Sequence, residues 1–222
     1  MAPDGSRHER SGRPSGSDGD AADDVVPDAW WPAGSGLPRL LFLARLRTAC
    51  AGVVTSRLET VGVARLLGAS MSPIDLLHQS LSDRYRDTAE IRRRLLRAGD
   101  GVRAQAFSLS LDRLRCAPNE RGSRNVELWM KADCEALTTL VTAINDGVCR
   151  QGLPRGGGHR PHLTVSYTFH GRMPSLQRLP EVEVSIDAFE LVVGGGKPYR
   201  YETLRRWMLS PASPSTSQPS LF

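Results

Sequence analysis

The sequence predicts an α+β fold, and three observations carry that prediction. Apolar residues alternate with period two in some runs and recur at helical spacing in others, and the two kinds follow one another as a β-α-β series that occurs twice. In chain order, residues 40–43 (Leu-Leu-Phe-Leu) read as a buried strand inside the apolar run 37–46. Residues 56–68 read as a helix with Leu58, Val61, Val63, Leu66 and Leu67 on one side. Residues 76–82 form a strand candidate, and 88–98 a basic helix turned inward at Ile91 and Leu95. Residues 105–114 alternate Phe107, Leu109 and Leu111 against Ala106, Ser108 and Ser110, so they read as a strand, as do 125–131. An amphipathic helix follows over 133–149, with Asp133 as its cap and Leu137, Leu140, Val141 and Ile144 as its stripe. Segments 161–169, 182–193 and 199–209 complete the β content.

At 222 residues the chain has room for one large domain or two small lobes sharing a core. Residues 1–35 are rich in Gly, Ser, Pro, Asp and Arg without apolar periodicity, and 211–222 are of low complexity. Both are expected to be disordered, leaving 36–210 as the folded domain, with Trp30-Trp31 either packed back on it or forming a sticky patch before it. A net charge of +5, nearly all of it arginine, suits a phosphate-bearing partner, although an Arg-, Ala- and Gly-rich composition also follows from a GC-rich genome. The run Arg92-Arg93-Arg94 reads first as a solvated helix face and second as a phosphate-steering patch. Cys50, Cys116, Cys134 and Cys149 lie in separate segments without metal or redox spacing, which suggests reduced thiols in a cytoplasmic protein. No apolar run reaches the length of a membrane span, so no membrane partner is expected.

The chemistry is written in two segments, His78-Gln79-Ser80-Leu81-Ser82 and His162-Leu163-Thr164-Val165-Ser166. Both read His-x-Ser/Thr-aliphatic-Ser, a coincidence that chance produces on two of five histidines in roughly one or two per cent of such chains. A lone strand histidine is usually a satisfied surface or core residue, and only the pairing argues otherwise. Strand alternation places Ser80 and Ser82 on the face of His78, and Thr164, Ser166, Thr168 and His170 on the face of His162. Leu163, Val165, Tyr167 and Phe169 then point the other way. Two histidines facing each other can divide acid and base work near neutrality, with adjacent hydroxyls donating to phosphoryl oxygens and with no metal required.

With these motifs the chain resembles the two-histidine (2H) phosphoesterase superfamily, and within it the bacterial 2′-5′ RNA ligase / RNA 2′,3′-cyclic phosphodiesterase family. The resemblance runs from about Pro38 to Leu209. It rests on the first strand, on Leu77-His78-Gln79-Ser80-Leu81, and on Pro161-His162-Leu163-Thr164-Val165 with its histidine 84 residues after the first. The ending Phe189-Glu190-Leu191-Val192, then Tyr201-Glu202-Thr203-Leu204 and Trp207-Met208-Leu209, is similar to the family's C-terminal hairpin. The resemblance implies a bilobed, pseudo-twofold fold whose two antiparallel sheets line a central cleft with helices outside. It also implies opening of an RNA-type 2′,3′-cyclic phosphate to a 2′-phosphate, with reversible 2′-5′ joining of RNA ends in some members. Carried over, His78 and His162 are the acid–base pair, and Ser80 and Thr164 bind phosphate. Two departures stand out: Ser80 replaces the commoner Thr, and Tyr167 occupies a position where many relatives carry Arg. Tyr167 is a candidate substrate contact, although strict alternation puts it on the wrong face.

Other motifs carry less. His159, His162, His170 and Cys149 lack a companion pair at zinc spacing, so no metal or cofactor is expected. The glycine runs 156–158 and 194–196 lack the Lys-Ser/Thr of a phosphate loop. RNA ends or nucleotides are the expected partners, for a chain acting as a monomer. Two competing readings keep the cleft: the same chemistry on a small cyclic nucleotide or cyclic oligonucleotide, and a non-catalytic RNA-binding module.

Overall fold

The computed structural model describes residues 29–30, 36–156 and 161–212. The expected disorder of 1–35 and 211–222 falls almost entirely outside them, as do Trp31 and His159. Strand β1 (Arg39–Arg45) is the apolar run of the sequence, and Leu40 to Ala44 are all at most 2% exposed. Such a run suits a central strand covered on both faces. Helix α1 (Thr48–Thr60) and the short α2 (Val63–Leu67) follow. The single helix expected over 56–68 is therefore broken. Gly62 stands between the two with φ +76°, a left-handed turn that glycine adopts without steric penalty, and Leu66 is left exposed. Strand β2 (His78–Ser80) is only three residues long because 74–76 wind into a 3₁₀ turn.

Strand β3 (Tyr85–Arg86) leads into α3 (Ala89–Asp100), whose N-terminus is capped by Thr88 Oγ1 accepting from Ile91 N. The arginines of α3 are paired: Arg92 with Asp87, and Arg93 and Arg94 with Glu90. Strands β4 (Phe107–Pro118) and β5 (Arg124–Met130) form a hairpin. Helix α4 (Glu135–Arg150) follows, capped at Cys134 without a side-chain bond, so Asp133 does not serve as the expected cap. Strands β6 (His162–Phe169), β7 (Leu176–Ile186), β8 (Ala188–Gly195) and β9 (Arg200–Met208) complete the chain. The segment read as one strand over 182–193 is thus two, β7 and β8, turning at Asp187.

Every strand pairing is antiparallel, in the order β7-β4-β5-β6-β2-β1-β8-β9, with β3 on β1. The order mirrors itself about β2 and β6. Each half holds four strands with a histidine strand at its inner edge, and β1-α1-β2 answers to β5-α4-β6. At the centre β2 and β6 are joined by a single register pair, Gln79↔Leu163. This is the predicted α+β fold of two pseudo-twofold sheets, hydrogen-bonded into one surface at that seam. One face packs into the main core under the helices, through Leu40, Phe42, Leu114, Val126, Leu128 and Leu163 among others.

Two aromatic anchors close the structure. Trp207 on β9 stacks on Phe189 at 5.0 Å and donates from Nε1 to Asp100 Oδ1 at the end of α3. Its ring lies against Gly99, where a Cβ would come within 2.5 Å of Cη2. Trp30 stacks on Tyr85 at 4.9 Å, and Arg86 N donates to Ala29 O, so Ala29 and Trp30 pack on the folded domain.

Gly99→Ala is expected to destabilise the protein by about 1–3 kcal/mol through overpacking against Trp207. Gly52→Ala in α1, where a Cβ meets nothing within 4 Å, should instead stabilise it by roughly 0.5–1 kcal/mol. Urea unfolding of both variants checks the opposite signs.

Candidate active site

Strand register alone assembles the site. In an antiparallel pair, residues one step either side of a matched pair also face each other. From Gln79↔Leu163, one step sets His78 opposite Thr164, and the other sets Ser80 opposite His162. Alternation puts all four on the face away from Gln79 and Leu163, which are 2% and 0% exposed. The two motifs thus form a four-cornered patch with the histidines on one diagonal and the hydroxyls on the other. Its diagonal is about 7–8 Å between backbone positions.

Following register outward identifies what surrounds the patch. Arg45 on β1 matches His78, and Leu43 matches Ser80. On the other side Glu127 matches Thr164 and Trp129 matches His162. The two histidines therefore sit in different electrostatic settings on a nearly symmetric frame.

His78 is 7% exposed. Its Nδ1 lies 2.7 Å from Leu76 O, a carbonyl that can only accept, so Nδ1 carries the proton and Nε2 presents a lone pair. Nε2 is 3.5 Å from Tyr201 Oη, and the two rings meet edge to face at 4.9 Å. Burial pushes the His78 pKa down to about 4, aided by the nearby charges of Arg45, Arg39 and His162 and opposed by the Leu76 carbonyl. His78 is therefore neutral at physiological pH. His162 has Glu127 Oε1 3.8 Å from its Nε2, a contact that becomes an ion pair whenever the imidazole carries two protons. Glu127 is itself fixed by Trp129 Nε1 at 2.9 Å and by Arg115, whose guanidinium lies over the Trp129 ring.

The trailing serines of the motifs do not face the patch. Ser82 lies beyond β2, is 7% exposed, accepts from Phe42 N and donates to Asp83 O. Ser166 is fully buried, its Oγ accepting from Thr168 N. For Ser82 the strand has already ended; for Ser166 the reason lies in β6, which carries two irregularities against β5. Val165 and Ser166 together oppose Val126 and all three are buried; Tyr167 and Thr168 together stand across from Asn125 and are exposed. Strict alternation therefore fails, and Tyr167 turns to the His162 face after all. Its phenol hydrogen-bonds Thr164, and its carbonyl accepts from Asn119 Nδ2 and Ser123 Oγ.

The site also gathers residues that motif reading missed. Arg39, Arg84, Tyr199 and Tyr201 lie electrostatically close to Tyr167 or to one another at the edge of the patch. Arg39 and Arg45, as cations at the ends of an apolar strand, were the available signal; an isolated Arg84 in a loop offered none. Among the described residues no group of three or more His, Cys, Asp or Glu is arranged to hold a metal ion.

No protein-family model matches the chain, and no curated protein matches it in sequence. Solved structures do match. E. coli LigT in its apo form has a TM-score of 0.61 at 22% identity, covering 78% of this chain and 99% of LigT. A structure described as a phosphoesterase gives 0.62 at 21%, covering 78% and 99%. E. coli LigT complexed with 3′-AMP gives 0.58 at 23%, covering 78% and 98%. The chain thus shares its fold with these proteins over nearly their full length.

Because the folded-state pKa of His78 lies below its ordinary 6.5, the unfolded chain takes up the proton first as pH falls from 6.5 toward 4. Stability that is fully present at neutral pH should be lost across that window, by on the order of 3 kcal/mol. His78→Gln should remove this part of the slope. Urea unfolding at pH 7 and pH 4.5 checks it, and equal pH dependence in both proteins would refute it.

Proposed function

We propose that the chain is a 2H phosphoesterase that opens RNA-type 2′,3′-cyclic phosphates to 2′-phosphates without a metal. The observation that carries the reading is the diagonal pairing of the two histidines, with a hydroxyl at each remaining corner. His78 Nε2, unprotonated and aimed past Tyr201, takes a proton from the attacking water. Water adds to phosphorus as the P–O3′ bond breaks, and His162, held beside Glu127, gives its proton to the departing 3′-oxygen. Ser80 and Thr164 donate to the non-bridging oxygens, where charge builds. Each turnover leaves His78 protonated and His162 neutral, and exchange with solvent restores both.

The burial of His78 fits this role. Arg39 and Arg45 disfavour a second proton on it in the empty site. An anionic phosphate entering the patch offsets those charges and makes His78 a better base when substrate is present. A ribose 5′-hydroxyl in place of water would give a 2′-5′ linkage by the same bond changes, so reversible RNA joining belongs to the same site. E. coli LigT, similar in fold, has been crystallised with 3′-AMP, which supports a nucleotide or RNA end as the ligand. The patch is complete within one chain, which supports action as a monomer. All four cysteines are free thiols, and no helix among the described residues is long and apolar enough to cross a membrane. Both facts support the cytoplasm as the place of action.

Incubation with an oligonucleotide ending in a 2′,3′-cyclic phosphate, in EDTA, should yield a 2′-phosphate end. His78→Ala and His162→Ala should each lower the rate by about 10²–10⁴-fold with circular dichroism unchanged. Near-normal rates in either variant would remove that histidine from the mechanism. Salt-dependent RNA binding untouched by both changes, with no turnover in the wild type, would point to a binding module. The acid limb of kcat/KM, which reports the free enzyme, should have its midpoint near 4, the pKa of His78. A midpoint near 6.5 would assign the base to another group.

A further inference from the structure

We propose that Arg84 and Arg39, with the phenols of Tyr167, Tyr199 and Tyr201, form a second phosphate subsite beside the histidine pair. It takes a phosphate of the substrate other than the one that reacts, so the preferred substrate is a nucleotide or RNA end carrying at least two. The inference rests on the function proposed above and assigns its substrate class.

The subsite is built from both halves of the molecule. Register aligns Arg39, Gly194 and Tyr201 across β1, β8 and β9. Gly194 makes room for the phenols: a Cβ there would stand 2.8 Å from Tyr201 Cε1 and closer still to Tyr199 Oη. Tyr199 is fixed by Arg39, whose Nε donates to its Oη at 2.9 Å and whose guanidinium lies 5.1 Å from its ring centre. Tyr199 and Tyr201 meet edge to face at 5.2 Å, and Tyr201 meets His78 at 4.9 Å. The path from His78 to the Arg39 guanidinium is thus three steps of 4.9, 5.2 and 5.1 Å. Across the seam, the β6 irregularity leaves Tyr167 exposed on the side away from the core, and its phenol holds Thr164.

Arg84 is brought to the same face by register: the next residue, Tyr85, pairs with Leu40 and is buried in the core, so alternation turns the exposed Arg84 to the opposite face, the one that carries Arg39 and Leu43. Arg39 and the phenols of Tyr167, Tyr201 and Tyr199 act electrostatically on the Arg84 guanidinium. Two guanidinium groups brought together beside phenols repel each other, and an anion between them removes the repulsion. The phenols remain donors: burial raises the Tyr167 pKa and pushes that of Tyr201 to about 12. Forked guanidinium donors with neutral hydroxyl donors match phosphate oxygens. This subsite is distinct from the four-cornered patch, where imidazoles and aliphatic hydroxyls supply the contacts. It also places a cation near Tyr167, from a different segment of the chain.

Titration calorimetry with adenosine 2′,5′-bisphosphate and adenosine 2′-monophosphate tests the assignment. The wild type should bind the bisphosphate roughly tenfold or more tightly than the monophosphate. Arg84→Gln, checked for folding by circular dichroism, should erase that preference and leave monophosphate binding unchanged. Equal affinities in the wild type, or no measurable binding of either ligand, would overturn the subsite. Equal weakening of both ligands in Arg84→Gln would also overturn it, by placing Arg84 on the reacting phosphate. Turnover separates the two proposals. An Arg84-dependent preference without cyclic-phosphate hydrolysis would sink the function and keep the subsite; hydrolysis without the preference would do the reverse.

Discussion

The seam between β2 and β6 is the constraint on which the rest depends. One matched pair, Gln79↔Leu163, fixes the register of two short inner strands, and that register sets each histidine across from the other motif's hydroxyl. A slip of either strand by one residue would turn its histidine and its hydroxyl into the core, because successive residues of a regular strand face opposite sides. The burial of Gln79 and Leu163 makes such a slip costly. The surrounding sheets, with their matching β-α-β units, hold two edge strands in a single relative position.

On this symmetric frame the chemical settings differ. His78 is paired in register with Arg45, a cation anchored by Glu190 and by Asp75 O. His162 stands beside Glu127, itself held by Trp129 and Arg115. Burial, with a cation alongside, keeps His78 neutral, while His162 has a carboxylate within reach, so two like residues meet unlike surroundings. Symmetry supplies the geometry, and neighbouring strands supply the polarity.

Much of this was legible in the sequence. Period-two and period-3.6 patterns locate β1, α3, β5, α4, β6 and β9 to within a few residues, and the paired motifs pick out the four residues that register brings onto one patch. The misses have physical causes. The helix read over 56–68 hid a left-handed glycine at Gly62, and the strand read over 182–193 hid the turn at Asp187. The cap expected at Asp133 fell one residue too early. Arg84 was invisible because a lone loop arginine has no pattern; only tertiary packing brings it to the tyrosines. Tyr167 was set on the wrong face because alternation assumes an unbroken ladder.

The irregularity in β6 works like two compensating frameshifts in a line of text. Leu163 and Val165 read in frame with the core, Phe169 reads in frame again, and only the stretch between is turned over. The core therefore registers nothing of what is written at position 167. Its side chain is free to change character without any interior packing having to be revised. A strand that must otherwise preserve its burial pattern letter by letter thus keeps one editable word, and that word faces the histidine patch.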